Sequence, residues 1–391
     1  MNEQFLSSVP HGGKLIDRTV NADCRAELAI EAESLPSVRL SPLHLADLDM
    51  IACGAFSPLT GFQPSEDYHA VIRSLRLADG TPWTIPIVLD VPGEAASGLE
   101  PNSWIALIDD TGTPMAVMEL EEKYPRDKLL EAGEVFGTED GKHPGVARIY
   151  SGGDVLLAGP VHVLERQRHT PFDHLRLDPA QTRGEFARRG WHTVVGFQTC
   201  NLIHRAHEYM QKCALELVDG LLIHSLIGPP AGAIEGEVPA EVRVRSYEEI
   251  IRRYYPCGRV ILSLFPATIR QAGPREAVLH AICSRNYGCT HFLIGRNRAG
   301  IGDHYGPGDT QRVFDVFEPD ELGIVPMKFE EAFYCTVCGG MASGKTCPHD
   351  PARHVIFSGR RIREMISRNE PLPAELIRPE AAAILVEAGR I

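Results

Sequence analysis

Two histidines and a run of amide and hydroxyl side chains stand together in Phe197-Gln-Thr-Cys-Asn-Leu-Ile-His-Arg-Ala-His-Glu208. His204 and His207 are three residues apart, so on a helix their imidazoles share a face. The apolar run Thr193-Val-Val-Gly-Phe197 precedes them, and an apolar stripe at helical spacing follows through Ala206, Met210, Cys213, Ala214 and Leu217. The pair therefore falls at a strand-to-helix junction, where free backbone N–H groups and the positive end of the helix dipole favour an anion. Imidazoles placed there can donate hydrogen bonds to phosphate oxygens and stabilise the charge on a departing pyrophosphate. Gln198, Thr199 and Asn201 add neutral donors on the same loop. Taken alone, the spacing also fits two surface histidines or a metal site, the latter with few carboxylates nearby. The strand-end position favours phosphate.

A second loop follows the strand His291-Phe-Leu-Ile and runs Gly295-Arg-Asn-Arg-Ala-Gly-Ile-Gly-Asp-His-Tyr-Gly306. Gly295, Gly300, Gly302 and Gly306 let backbone approach a ligand closely, while Arg296 and Arg298 can fix anionic oxygens. Ala272-Gly-Pro-Arg-Glu276 opens a helix on the same edge and fits a binding loop or a simple proline-started helix equally well.

A different chemistry belongs to Cys335-x-x-Cys338 and Cys347-Pro-His349. Three soft ligands and an imidazole in a short segment can close a tetrahedral zinc site and brace a region with little core. His354 competes with His349 for the fourth position, and a reduced thiol cluster is the alternative. Inside this segment Gly339-Gly-Met-Ala-Ser-Gly-Lys-Thr346 matches the phosphate-loop pattern literally. Such a loop needs a helix directly behind it, and Cys347-Pro-His-Asp-Pro351 cannot start one in register. A fused kinase is rejected on that ground.

The elements that must hold these loops can be read from pattern. Up to about residue 168 short β-type runs alternate with turns, among them Trp83-Thr-Ile-Pro-Ile-Val-Leu89, Trp104-Ile-Ala-Leu-Ile108 and Asp154-Val-Leu-Leu-Ala158. This predicts a mostly β domain over 1–168. From 169 to 328 strands alternate with helices: a strand at 221–227, a helix around Tyr247–Tyr255, a strand from Val260, a helix opening at Pro274 and a strand from His291. Repeated β-α-β units imply a parallel sheet with helices on both faces and ligands beyond the carboxyl ends of the strands. Residues 329–391 read as a small helical domain around the cysteine cluster. The chain is thus an α/β multidomain protein of 391 residues.

Composition narrows the partners. A net charge of −13 argues against nucleic acid and anionic membranes, though not against a small anion held by local arginines. No apolar run reaches the roughly 20 residues that span a bilayer. The start MNEQFLSSVPHGGK has no signal-peptide pattern. Seven of the ten cysteines are scattered singly, as in a reducing cytoplasm.

The ordered segments together resemble the ATP sulfurylase (sulfate adenylyltransferase) family. Gly54-Ala-Phe-Ser-Pro-Leu-Thr-Gly-Phe62 resembles its PUA-like leading domain. Leu221 to Gly228, Val238-Pro-Ala-Glu-Val-Arg-Val-Arg245, Ala272–Glu276 and Asn286–Phe292 resemble its Rossmann-like nucleotidyltransferase domain. Ser358–Met365 and Arg378-Pro-Glu380 resemble its C-terminal part. The resemblance implies attack of sulfate on the α-phosphorus of Mg²⁺-bound ATP, releasing pyrophosphate. It makes His204, His207, Asn201 and Arg296 the catalytic set, with Gln198, Thr199, Cys200, Gly295, Arg298, Ala299 and Gly300 binding substrate. It also implies a structural Zn²⁺ and a homo-oligomer. Two departures stand out. Cys200 and Leu202 occupy places where the family has Arg and Pro, and Asn297 and Arg298 replace Asp and His. The lost arginine grips sulfate in the family; Arg298 is a candidate substitute, and an acceptor other than sulfate is the alternative.

Overall fold

The computed structural model describes residues 8–167, 172–228, 238–296, 304–318, 320–356, 359–368 and 370–388. In its first part lie β1 (Ser37–Arg39), β2 (Gly61–Phe62), β3 (Leu89–Val91), β4 (Ser103–Ile108), β5 (Pro114–Leu120), β6 (Glu122–Pro125) and β7 (Val155–Val163). They form a sheet of order β1-β4-β5-β7-β2, with β3 and β6 also on β7. β7 can serve as the hub because Leu156, Leu157, Ala158, Val161 and Val163 are all buried, so neither of its faces meets water. Around the sheet pack α1 (Ala22–Ala32), α2 (Pro42–Ala52), α3 (Ser65–Ser74), α4 (Gly93–Ala96), α5 (Lys128–Phe136) and α6 (Pro144–Ser151).

Two expectations for this part need correction. Helices occupy more of the chain than strands do, so "mostly β" understates them. The run from Trp83 to Leu89 is not a strand; pairing begins only at Leu89. Trp83, Ile85 and Ile87 are buried in an extended segment, and Pro86 between them has no N–H for a ladder.

The next part alternates as expected: α7 (Pro179–Arg188), β8 (Val194–Thr199), α8 (Arg205–Leu215), β9 (Gly220–Leu226), α9 (Ala240–Tyr254), β10 (Val260–Phe265), α10 (Gly273–Asn286), β11 (His291–Ile294), α11 (Asp309–Arg312) and β12 (Val325–Lys328). The five strands are parallel, in the order β10-β9-β8-β11-β12. Alternate residues separate two cores. Val195, Phe197, Leu221 and Ile223 pack with Met210, Tyr247 and Ile250. Val194, Leu222 and Ile261 pack with Ala277, Ile282 and the core of the first part. Helix α9 starts well before Tyr247, and β12 was not expected at all. It is a four-residue edge strand containing Pro326, a residue tolerated only at an edge.

The last part departs furthest from expectation. β13 (Ala332–Cys335), β14 (Gly340–Ser343) and β15 (His354–Val355) form an antiparallel sheet of order β14-β13-β15, followed by α12 (Gly359–Ser367) and α13 (Pro379–Ala388). The cysteine cluster therefore sits on a small sheet rather than among helices. Gly339, at φ 66°, turns the chain between β13 and β14. The phosphate-loop-like run is spent on that turn, on β14 and on the next turn, with no α-helix after Thr346 until Gly359. Among the described residues no helix is long and apolar enough to cross a membrane.

Candidate functional site

The chain leaves β8 for β9 on one side, and β11 lies on the other, so the sheet changes direction between β8 and β11. Loops from their carboxyl ends diverge there and leave a crevice, the usual ligand site of such sheets. Gln198 and Thr199 end β8, Cys200 and Asn201 form its loop, and Gly295 and Arg296 follow β11. The structure thus brings these predicted residues to one edge. Arg298, Ala299 and Gly300 lie outside the described residues.

His204 is the N-cap of α8 and His207 lies in its first turn. His204 makes no side-chain cap hydrogen bond, so it does not consume the helix's free amides. The two rings stack, with centroids 3.8 Å apart and 19° between planes. The His207 Nδ1–H donates to the Leu202 carbonyl at 3.2 Å, and its ring meets Phe197 edge-on at 5.3 Å. Burial pushes His207 down to about 4, partly offset by the Leu202 carbonyl. Burial, then the neighbouring His207, hold His204 well below the usual histidine range. Both imidazoles are therefore neutral at pH 7. Two buried atoms, Nδ1 of His204 and Oε1 of Gln198, have no hydrogen-bond partner among the described residues. Such groups cost free energy until a ligand or water pairs them. Gln198 spends its amide N–H on Ser284 Oγ, at 3.3 Å.

The loop between β8 and α8 is held from two sides. The Thr199 hydroxyl accepts from Asn201 N at 3.0 Å. Arg243 of α9, only 3% exposed, donates to the Cys200 carbonyl at 2.9 Å and to the Leu226 carbonyl at 2.9 Å. Tyr247, one turn on, donates to the Asn201 carbonyl. Sequence reasoning missed Arg243 and Tyr247 as parts of this site. The signal was present: Arg243 interrupts the apolar stripe Val242, Val244, Tyr247, Ile250 of α9, and a buried arginine needs partners. Arg296 is 49% exposed and reaches Glu330 at 3.4 Å. The Ala272–Glu276 loop does other work. Arg275 donates to the carbonyls of Val71 and Ile72, and Glu276 accepts from Arg270 N, so the loop ties α10 to the first part.

Cys335, Cys338, Cys347 and His349 present ligand atoms all within 4.8 Å of one another. His349 Nδ1 lies 3.5, 3.2 and 3.6 Å from the three sulfurs, and Cys338 and Cys347 sulfurs are 3.8 Å apart. Tetrahedral thiolates about 2.3 Å from a metal are separated by roughly that much. His354 stands outside, stacked on Phe333 at 3.7 Å and touching only the Cys347 sulfur, at 3.5 Å. The Cys338 N–H points at the Cys335 sulfur at 3.4 Å, an arrangement that favours a thiolate. These four residues could hold a metal ion.

Comparison with known proteins gives this geometry a family. Residues 8–166 match a PUA-like domain, and residues 173–388 match ATP-sulfurylase. The chain belongs to the ATP-sulfurylase family. A sulfate adenylyltransferase of Synechococcus sp. (strain JA-3-3Ab) is 50% identical over 97% of this chain and 96% of the relative. One from Symbiobacterium thermophilum is 51% identical over 97% of this chain and 95% of the relative. Among solved structures, one described as a hexameric APS kinase from Thiobacillus denitrificans superposes with a TM-score of 0.76. It shares 28% identity and covers 97% of this chain and 68% of that one. Family membership accounts for the paired histidines at the head of α8 and for the PUA-like part packed on the sheet.

Proposed function

We infer that this chain joins ATP and sulfate to give adenylyl sulfate and pyrophosphate. A sulfate oxygen attacks the α-phosphorus in line, and the bond from Pα to its bridging oxygen breaks on the far side. The electron pair of that bond leaves with pyrophosphate, so no covalent enzyme intermediate forms. The observation that carries this reading is the 50% identity, over 97% of the chain, to a relative named sulfate adenylyltransferase.

The site geometry supports residue roles. His204 and His207 hold phosphate oxygens at the head of α8 and stabilise the departing pyrophosphate. Gln198, Thr199 and Asn201 line the substrate loop, Gly295 admits backbone to the ligand, and Arg296 grips the oxyanion. Mg²⁺, entering with ATP, supplies charge neutralisation across the phosphates. From the sequence, Arg298 replaces the positive charge missing at Cys200, and backbone at Ala299 and Gly300 offers further donors. Zn²⁺ suits the three thiols and His349; with four protein ligands it has no open position, so its role is structural. The division into units 1–168, 169–328 and 329–391, a cytoplasmic location and a homo-oligomeric state belong to the same reading.

Cys200 favours one competing reading, transfer to another oxyanion. A dianion that loses a bidentate arginine binds worse by about 2–5 kcal/mol. The test is pyrophosphate release from Mg²⁺-ATP with sulfate or molybdate as acceptor. Sulfate-dependent release supports the reading, and release with other oxyanions alone overturns it. Cys200→Arg is expected to lower the KM for sulfate by tenfold or more on that energy scale. Abolished activity in a folded Cys200→Arg protein would mean that the pocket is built around the thiol instead.

A further inference from the structure

Glu208 follows His207 directly, and the chemistry proposed above does not use it. It is 4% exposed, yet it carries a charge, so partners must hold it. Three cations do. Arg378 donates to both of its carboxylate oxygens, at 2.9 and 2.6 Å. Lys212 Nζ lies at 2.6 Å and Arg205 Nε at 3.6 Å. Burial alone would raise the Glu208 carboxyl, but the hydrogen bonds from Arg378 and Lys212 outweigh it and keep the group below the usual range.

These partners differ in what they can do mechanically. Arg205 and Lys212 lie on α8 itself, so they cannot fix that helix against the rest of the molecule. Arg378 comes from the segment leading into α13, and it can. The same segment also reaches the helix through backbone: the Arg205 N–H, first in α8, donates to the Leu376 carbonyl at 2.9 Å. Arg378 is held in turn. Its guanidinium lies over the Tyr254 ring at 3.8 Å, and the Tyr254 hydroxyl donates to Glu380 at 2.7 Å. Between α8 and β14 a cleft of about 290 Å³, lined by Tyr209, Lys212 and Met341 among others, borders the pair. Apolar packing does not close that side of the helix.

We propose that Arg378 and Glu208 form a positioning pair that locks the start of α8, and with it the stacked rings of His204 and His207, in the geometry adenylyl transfer needs. The inference rests on the adenylyl-transfer reading given above. Its physical basis is the fork of Arg378, which fixes direction as well as charge. Glu208 is adjacent to His207 and one turn from His204, so a small rotation of α8 moves both rings together.

The test measures kcat, KM for ATP and KM for sulfate in full-length Arg378→Ala, Arg378→Lys, Glu208→Gln and the Ala/Gln double variant, with the thermal midpoint of each. Misplacement by about 1 Å costs up to roughly 100-fold in rate. Arg378→Ala and Glu208→Gln are therefore expected to lose about 10- to 100-fold in kcat, with both KM values within about threefold. Arg378→Lys, which keeps charge without the fork, should fall between them and the unchanged protein. The double variant should be no slower than the slower single, since both remove one interaction. A second readout needs no turnover: the ¹⁵N resonance of the His207 Nδ1–H bonded to Leu202 should shift or broaden in Arg378→Ala. A kcat within twofold of the unchanged protein, with only the thermal midpoint lowered, would reduce the pair to a structural brace and overturn the proposal. An unperturbed His207 resonance would overturn it as well, even if the unchanged protein proved inactive towards sulfate, an outcome that separately ends the adenylyl-transfer reading.

Discussion

At the scale of single residues, the stacked histidines set the chemistry. Rings 3.8 Å apart and nearly parallel cannot both carry charge in a buried site without an anion beside them. The His207 Nδ1–H is already spent on Leu202, so its Nε2 accepts until a proton arrives. Phosphate oxygens need donors, and their negative charge raises the affinity of the pair for a proton. Nucleotide binding near pH 7 is therefore expected to take up protons, on the order of one per site. Calorimetry in buffers of different ionisation enthalpy reads this directly: the observed heat should change with the buffer, and His207→Asn should remove most of the change. Buffer-independent heat would mean that the pair binds phosphate without being protonated. The histidines were legible because spacing and a strand-to-helix boundary are properties of sequence alone. Arg243 was not, since its role depends on α9 beginning at Ala240 and crossing the Cys200 carbonyl, a contact 43 residues away in the chain.

Among elements, the parallel strands were readable because buried strands are continuous apolar runs cut by turns. β12 escaped, being short, proline-containing and at the edge. The strands around the cysteines escaped for another reason. β13 and β14 have four residues each and a core of little more than Phe333, Cys335 and Ala342, so apolar pattern is weak there. A cluster this thin suits bracing by a metal rather than by packing. Treatment with a strong zinc chelator at neutral pH should release about one zinc per chain and lower the thermal midpoint by several degrees. Since α8 touches this sheet through Tyr209, whose hydroxyl lies 3.4 Å from that of Thr346, the loss should extend to amide-exchange protection at the start of α8. Absence of zinc from purified protein, or a midpoint unchanged by the chelator, would contradict a structural metal.

For the whole molecule, buried histidines link stability to pH. Burial pushes His224 down to about 3, where it lies against Phe265 and Tyr287. His11 is pushed down to about 4 by burial despite its contact with the Pro82 carbonyl. His207 lies at about 4 for the reason given above. The unfolded chain, with ordinary histidines near 6.5, binds more protons than the folded one between pH 6.5 and about 4. Stability therefore rises with pH through that window, is complete above it, and is lost as pH falls through it. The thermal midpoint should be flat above pH 7 and decline from pH 6.5 downward, with His224→Phe softening the decline. A midpoint insensitive to pH between 7 and 4.5 would contradict neutral burial of these rings. The seam between the first part and the parallel sheet carries the same stress. His11 N donates to the Asn286 side chain at 2.8 Å, and that side chain donates to the Ala55 and Ser57 carbonyls at 3.0 Å each. No pattern in one sequence announces such a seam, because its partners lie more than 200 residues apart.

The most direct test of adenylyl transfer to sulfate is ATP synthesis from adenylyl sulfate and pyrophosphate with Mg²⁺, read by luminescence against a low background. Robust ATP formation that falls at least about 100-fold in His204→Asn and in His207→Asn is the expected result, since removing one transition-state donor costs that much. No ATP from folded, zinc-loaded protein, or full activity in both histidine variants, would contradict the account.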